Sequence, residues 1–278
     1  MPCMNVPADM VGEQVTVAER GMTVNDVRRF WESHPVAAAA IPAERGTAEY
    51  FDTYDRLREA NESLEFSYAL HEYRRFKDRA VLDVGCGNGY VLGKYAAEGA
   101  RVFGVDLTGA GIALCRKRFA LQGLRGQFTV GNAESLPYPS SVFDCVCSMG
   151  VLHHTPDTRA ALDELHRVLK PGGRLILMMY HRNSANYRLR MFANHVRTGR
   201  AMGDLVRAVD GEGNPIGVVY SKAELRRLLG RFADVDCFAG CLQREMLPKL
   251  GRVIPEAWLR RFERRWGWFL YAKGIKPR

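Results

Sequence analysis

No apolar run in these 278 residues approaches the ~20 needed to cross a bilayer; the longest are of the length of Val36 to Ile41, and no basic leader with an apolar segment follows Met1. A protein neither exported nor membrane-spanning is expected. Also lacking is any cysteine pattern that points to a metal or a disulfide framework. The seven cysteines, Cys3, Cys86, Cys115, Cys145, Cys147, Cys237 and Cys241, are odd in number and scattered through apolar surroundings. Cys145 and Cys147 fall two apart on a predicted strand and Cys237 and Cys241 four apart, but neither pair has a second Cys or His pair at zinc-ligand spacing. They read as reduced thiols of a cytoplasmic protein without a metal. Repeats and low-complexity tracts are missing too, and 47% hydrophobic with 26% charged residues excludes disordered and collagen-like classes.

What is present is an uneven charge. Residues 1–180 hold 20 Lys and Arg against 22 Asp and Glu, so the net charge of +9 comes from the remaining 98 residues, where 20 basic face 9 acidic side chains. A basic last third suits an anionic substrate, nucleic acid, a membrane surface, or simply solvated helix faces.

Periodicity divides the chain in three. Residues 1–78 begin with a weakly patterned arm, Ala/Pro-rich from Pro35 to Pro42, and continue into two predicted helices between Ala48 and Phe76 with Tyr50, Phe51 and Tyr54 on the first. Residues 79–182 alternate short apolar strands (Ala80–Val84, Arg101–Asp106, Gln127–Val130, Phe143–Ser148, Arg174–Tyr180) with helical segments, which requires crossover connections and a parallel sheet covered on both faces. Lys170 to Gly173 is predicted to be a tight turn launching the last of these strands. Residues 183–278 turn basic and helical over Tyr187–Arg200, loop through Asp210–Gly217, start a helix at a Ser221/Glu224 capping box, and close with predicted strands Phe232–Phe238 and Trp268–Ala272 around a helix, Pro255–Trp266. The expected fold is α/β: a Rossmann-like, doubly wound, mostly parallel seven-stranded sheet with an N-terminal helical lid and C-terminal helical insertions.

In such a sheet ligands bind beyond the carboxyl ends of the strands. The first strand runs into Asp83-Val84-Gly85-Cys86-Gly87-Asn88-Gly89, whose glycines let backbone approach a ligand at a helix N-terminus, and the second ends in Asp106, placed for ribose hydroxyls. A dinucleotide fits poorly. Tyr90 stands where its glycine motif needs a small residue, and Asp83 would face a diphosphate. A nucleoside carrying an ammonium and a sulfonium suits that carboxylate better.

The segment Val81–Gly89 with Asp106 resembles the signature of class I S-adenosylmethionine-dependent methyltransferases. Gly131–Tyr138 is similar to the adenine-binding loop of the small-molecule branch related to ubiquinone/menaquinone methyltransferases. Phe143-Asp144 with Ser148–His154 resembles its fourth-strand segment, and Arg167–Gly173 its fifth-strand lead-in. The resemblance implies S-adenosylmethionine as cofactor, held by Asp83, Gly85, Gly87, Asp106, Leu107, Asn132, Ala133, Ser148 and Tyr50. Asn132 departs from the family's usual Asp but keeps an acceptor oxygen. It also implies a lid for the helix of Tyr50, Phe51 and Tyr54, whose alternative is plain core packing. Methyl transfer to a phenol or alcohol needs a base, for which His153, His154 and His181 are candidates, a loop-ordering role being the alternative for at least one.

The expected function is methyl transfer to an O or N atom of a small organic acceptor, with no nucleic-acid partner and no membrane span. Two rivals stand beside it: a nucleic-acid methyltransferase using the basic last third, and a family member that binds the cofactor without transferring methyl. Trp258, Leu259, Phe262 and Trp266, among Arg260, Arg261, Arg264 and Arg265, are expected to wall the acceptor pocket, with a membrane-surface or acidic-acceptor face as the alternative.

Overall fold

The computed structural model describes residues 21–37, 40–247 and 253–278, so Cys3 lies outside the described residues. The central sheet holds β1 (Ala80–Val84), β2 (Arg101–Asp106), β3 (Gln127–Val130), β4 (Phe143–Met149), β5 (Leu169–His181), β6 (Val219–Tyr220), β7 (Ala233–Gly240) and β8 (Phe269–Ile275). Its order is β3-β2-β1-β4-β5-β8-β7, with the two-residue β6 beside the end of β5. The seven expected strands are therefore present with one short addition. All pairings from β3 to β5 are parallel, whereas β8 runs antiparallel between β5 and β7.

Helices cover both faces because strand residues alternate in direction. Val81, Cys145, Cys147, Ile176 and Tyr271 point to one side, where α2 (Ala48–Asn61), α3 (Leu64–His71), α4 (Tyr90–Ala97) and α5 (Gly109–Leu121) bury Tyr50, Phe51, Leu70, Leu92, Tyr95 and Phe119 against them. Leu82, Val146, Leu175, Leu177 and Leu270 point to the other, under Leu162 and Leu165 of α6 (Thr158–Val168) and Leu225 of α9 (Lys222–Leu228). The Ser221 cap of α9 forms both bonds of the predicted box: Glu224 N donates to Ser221 Oγ at 3.2 Å, and Ser221 N to Glu224 Oε2 at 2.7 Å.

Three local expectations need correction. Lys170–Gly173 does not precede the fifth strand but sits within it: the ladder with β4 pairs Phe143 with Leu169 and then Cys145 with Arg174, so the intervening residues bulge out where Pro171 cannot donate. The N-terminal arm contains a helix, α1 (Val24–Ser33), started by a Thr23/Asp26 capping box. Finally, α7 (Phe192–Thr198), which continues a π-helical turn over Asn186–Met191, is followed by a further helix, α8 (Met202–Arg207).

One ion pair joins three of these pieces. Arg118 of α5, almost fully buried, donates to both oxygens of Asp55 on α2 (2.8 and 3.0 Å) and through Nε to the Asn88 carbonyl (2.9 Å), and lies over the Phe51 ring at 4.5 Å. Asp55→Ala strands that guanidinium and is expected to cost about 3 kcal/mol in urea unfolding. A loss under about 1 kcal/mol would show that water compensates Arg118.

Candidate active site

At the carboxyl ends of β1, β2 and β4 the chain leaves the sheet around a cavity, the place where a parallel sheet concentrates ligand-binding loops. β1 ends in the loop Gly85–Gly89, whose three glycines all adopt positive φ and turn the chain into α4. At the end of β2, Asp106 accepts from Gly87 N (2.9 Å), Thr108 N (2.9 Å) and Thr108 Oγ1 (2.7 Å), so one carboxylate fixes the glycine loop and the start of α5 together.

The wall contains Asp83, Gly85, Gly87, Asp106, Leu107, Asn132, Ala133, Tyr50 and His154 of the residues singled out in the sequence. Ser148, His153 and His181 are not on it. Ser148 is fully buried and donates to the Val84 carbonyl at 2.9 Å, while Met149, the last residue of β4, and Gly150 just beyond it line the cavity instead. His153 is wedged between His154 and Tyr180, both rings 4.1 Å away, with no partner for either nitrogen. Burial holds it well below the usual imidazole range, so it is a neutral packing group. His181 Nδ1 meets the Gly267 carbonyl at 3.0 Å, and burial pushes its pKa down to about 4. Asn132 Oδ1 accepts from Glu134 N at 3.1 Å, shaping the loop after β3.

His154 differs from its neighbours. Its Nδ1 lies 2.6 Å from the Ile216 carbonyl, an acceptor only, so Nδ1 carries the proton and Nε2 is the basic nitrogen. Nε2 faces Asp210 Oδ2 at 3.4 Å, and Asp210 Oδ1 accepts from Tyr180 Oη at 2.8 Å.

Three buried groups on the wall are without hydrogen-bond partners: Asp83 Oδ1, the Tyr50 hydroxyl and Arg58 Nε, the last belonging to a guanidinium that meets Glu62 at 2.7 Å. Burial raises the Asp83 pKa to about 7. A carboxyl with one unpartnered oxygen beside unpartnered donors complements an ammonium and a carboxylate on one ligand, and Asp106 lies on the same wall. The residues present therefore fit S-adenosylmethionine. Among the described residues no cluster of three or more His, Cys, Asp and Glu could hold a metal, and no helix is long and apolar enough to cross a membrane.

Residues 82–177 match the family model described as a methyltransferase domain. The chain carries an S-adenosylmethionine-dependent methyltransferase domain. It is 34% identical over 142 residues to a demethylmenaquinone methyltransferase of Thermus thermophilus, covering 48% of this chain and 63% of that one. It is 43% identical over 106 residues to a tRNA U34 carboxymethyltransferase of Hydrogenovibrio crunogenus, covering 36% and 32%. The chain thus spans less than two thirds of the length of either relative. A solved S-adenosylmethionine-dependent methyltransferase of Methanosarcina mazei shares the fold with a TM-score of 0.56 at 24% identity, over 75% of this chain and 97% of that one.

Several wall residues of the methyltransferase domain were not legible as such. Val27 and Trp31 arrive on α1, which Glu32 pins to the start of α5 by accepting from Gly109 N (3.0 Å) and Ala110 N (2.8 Å). The Thr23/Asp26 box was the available signal for that helix. Arg58 had only its spacing of four from Glu62. The expected wall of Trp258, Phe262 and Trp266 is absent: α10 (Glu256–Trp266) buries only Leu259 and contributes nothing to the cavity.

Proposed function

We propose that the protein transfers the methyl group of S-adenosylmethionine to an O or N atom of a small, largely apolar organic acceptor. The observation that carries this reading is the single cavity that holds an unpartnered Asp83 oxygen, Tyr50 hydroxyl and Arg58 donor together with Asp106. When bound, S-adenosylmethionine supplies a methyl group on an electron-poor sulfonium. Asp83 would hold its ammonium, Tyr50 and Arg58 its carboxylate, Asp106 its ribose, and the loop bearing Asn132 and Ala133 its adenine.

The remaining wall belongs to the acceptor side, and its composition supports an apolar one. Val27, Trp31, Pro35, Val36, Met149 and His154 contribute apolar or aromatic surface, and Arg58 is the cavity's one Arg or Lys among the described residues. Alignment and removal of water do most of the work for an in-line displacement. His154 adds a place for a proton at Nε2, where the Asp210 carboxylate would stabilise the resulting imidazolium. We infer a cytoplasmic setting and a place in small-molecule metabolism, a reading that the free cysteines among the described residues support.

The test is turnover: formation of S-adenosylhomocysteine with a panel of phenols, hydroquinones and amines. Methylation of RNA alone would replace this reading by the nucleic-acid one, and cofactor binding without turnover on either by the non-transferring one. Within the reading, His154→Gln is expected to lower kcat on a phenolic acceptor by about a hundredfold or more with the cofactor Kd unchanged. His153→Gln should alter stability instead. Equal kcat losses in both variants would assign the pair a structural role.

A further inference from the structure

Two helices of the basic last third are built backwards for a water-facing surface. On the helix spanning 186–198, Leu189, Phe192 and Val196 follow one another at helical spacing on a stripe directed away from the buried Met191, and all three are exposed, Phe192 by 54% and Val196 by 69%. Arg188, Arg190 and Arg197 are exposed on the same helix, and residues 186–200 contain no Asp or Glu.

α10 repeats the arrangement. Trp258 is 57% exposed, Trp266 stacks on Phe262 at 4.9 Å with much of its ring in water, and Arg260, Arg261 and Arg265 are exposed around them. The two carboxylates of α10 are engaged elsewhere, Glu256 with Arg244 and Glu263 with the Cys241 amide. None of these six arginines forms an ion pair among the described residues.

The two helices belong to one region. Ala185, at the start of the first, packs with Leu259 of α10. Both also lie at the ligand end of the sheet: the first helix follows the carboxyl end of β5, and α10 leads into β8, whose Phe269 pairs with Tyr180 at that end of β5.

We propose that this surface docks on an anionic lipid bilayer. Exposed Trp, Phe, Leu and Val side chains beside arginines that no carboxylate neutralises are what an interface-seeking helix presents, the apolar groups entering the acyl boundary while guanidinium groups meet lipid phosphates. RNA would use the arginines and could stack on the tryptophans, but it offers no apolar phase for Leu189 and Val196. A second copy of the chain would bring the same uncompensated positive charge to the contact. Docking sets the cavity mouth on the membrane side, within reach of apolar molecules dissolved there; the docking itself rests on the surface residues alone.

The experiment is sedimentation of the full chain with vesicles of phosphatidylcholine, with and without phosphatidylglycerol. Expected is binding to the anionic vesicles only, weakening with added salt and shifting tryptophan emission to the blue. Replacing Arg188, Arg197, Arg261 and Arg265 together with Gln should weaken it by about a hundredfold or more, and Phe192→Ser with Val196→Ser by about tenfold, while S-adenosylmethionine affinity is kept. Failure to bind either vesicle overturns the proposal. So does tRNA that binds more tightly than the vesicles and loses affinity in the Arg variant, or a dimer in ultracentrifugation that dissociates in the Phe192/Val196 variant. None of these outcomes bears on methyl transfer, which is measured without lipid.

Discussion

Gly85→Ala will abolish measurable S-adenosylmethionine binding. Gly85 has φ +77°, where an L side chain is strained, and a Cβ there would sink into the Val151 side chain. The backbone around it is held by Gly85 N and Cys86 N, both donating to the Val105 carbonyl (2.7 and 3.1 Å), so the loop cannot back away without breaking the junction of β1 and β2. Strain of ~1–3 kcal/mol joins an overpacking cost of similar size. Calorimetry should show the affinity falling by three orders of magnitude or more. Adding Val151→Ala removes the two methyl clashes but leaves a tight Cβ contact of 3.0 Å and the φ penalty, and should restore binding only in part. Full recovery would mean that the side-chain clash alone matters.

Asp83→Asn is expected to act in opposite directions on binding and on folding. Burial raises the Asp83 pKa to about 7, from an unfolded value near 3.8. A folded-state pKa above the unfolded one contributes stability at low pH that is lost as pH rises toward 7, so the ligand-free protein should become less stable between about pH 4 and 7. Binding an ammonium needs the ionised carboxylate. Affinity for S-adenosylmethionine should therefore climb by about tenfold per pH unit toward 7 and level off, declining near pH 8 as the ligand's own amine loses its proton. At pH 7.5 the Asn variant should bind at least ~10-fold more weakly, with a flat profile below 7, yet unfold at a higher temperature than the parent. A slope below pH 7 that survives the substitution would move the titration to another group.

What the sequence disclosed follows from how local each constraint is. Asp83, Gly85 and Asp106 were legible because a strand end and a tight glycine turn are set by a few adjacent residues. Ser148 was misplaced by one position on a strand, and a period of two turns that slip into the difference between the cavity and the Val84 carbonyl. His153 and His154 could not be told apart, since they share one helical turn (Leu152–His154) and only packing against Tyr180 and the distant Ile216 and Asp210 decides which faces the cavity. Trp258, Phe262 and Trp266 have the spacing of a core-facing stripe, but the flank of α10 that reaches the core carries Leu259, which differs from them by less than one turn. Distance along the chain hid the rest: Trp31 meets His154 from more than a hundred residues away.

The position of β8 has a consequence for how this fold is made. Its seven residues pair with β5 on one side and with β7 on the other, so β7 has no neighbour in the sheet until residues 269–275 are in place. During synthesis the half of the sheet from β3 to β5 can assemble as its residues emerge, while β7 must wait with unpaired backbone. The last step is the insertion of a strand between two others, a long-range closure that is slow for its size. Any shortening of the chain before Phe269 would leave β5 and β7 each with an open edge, and such edges recruit other chains.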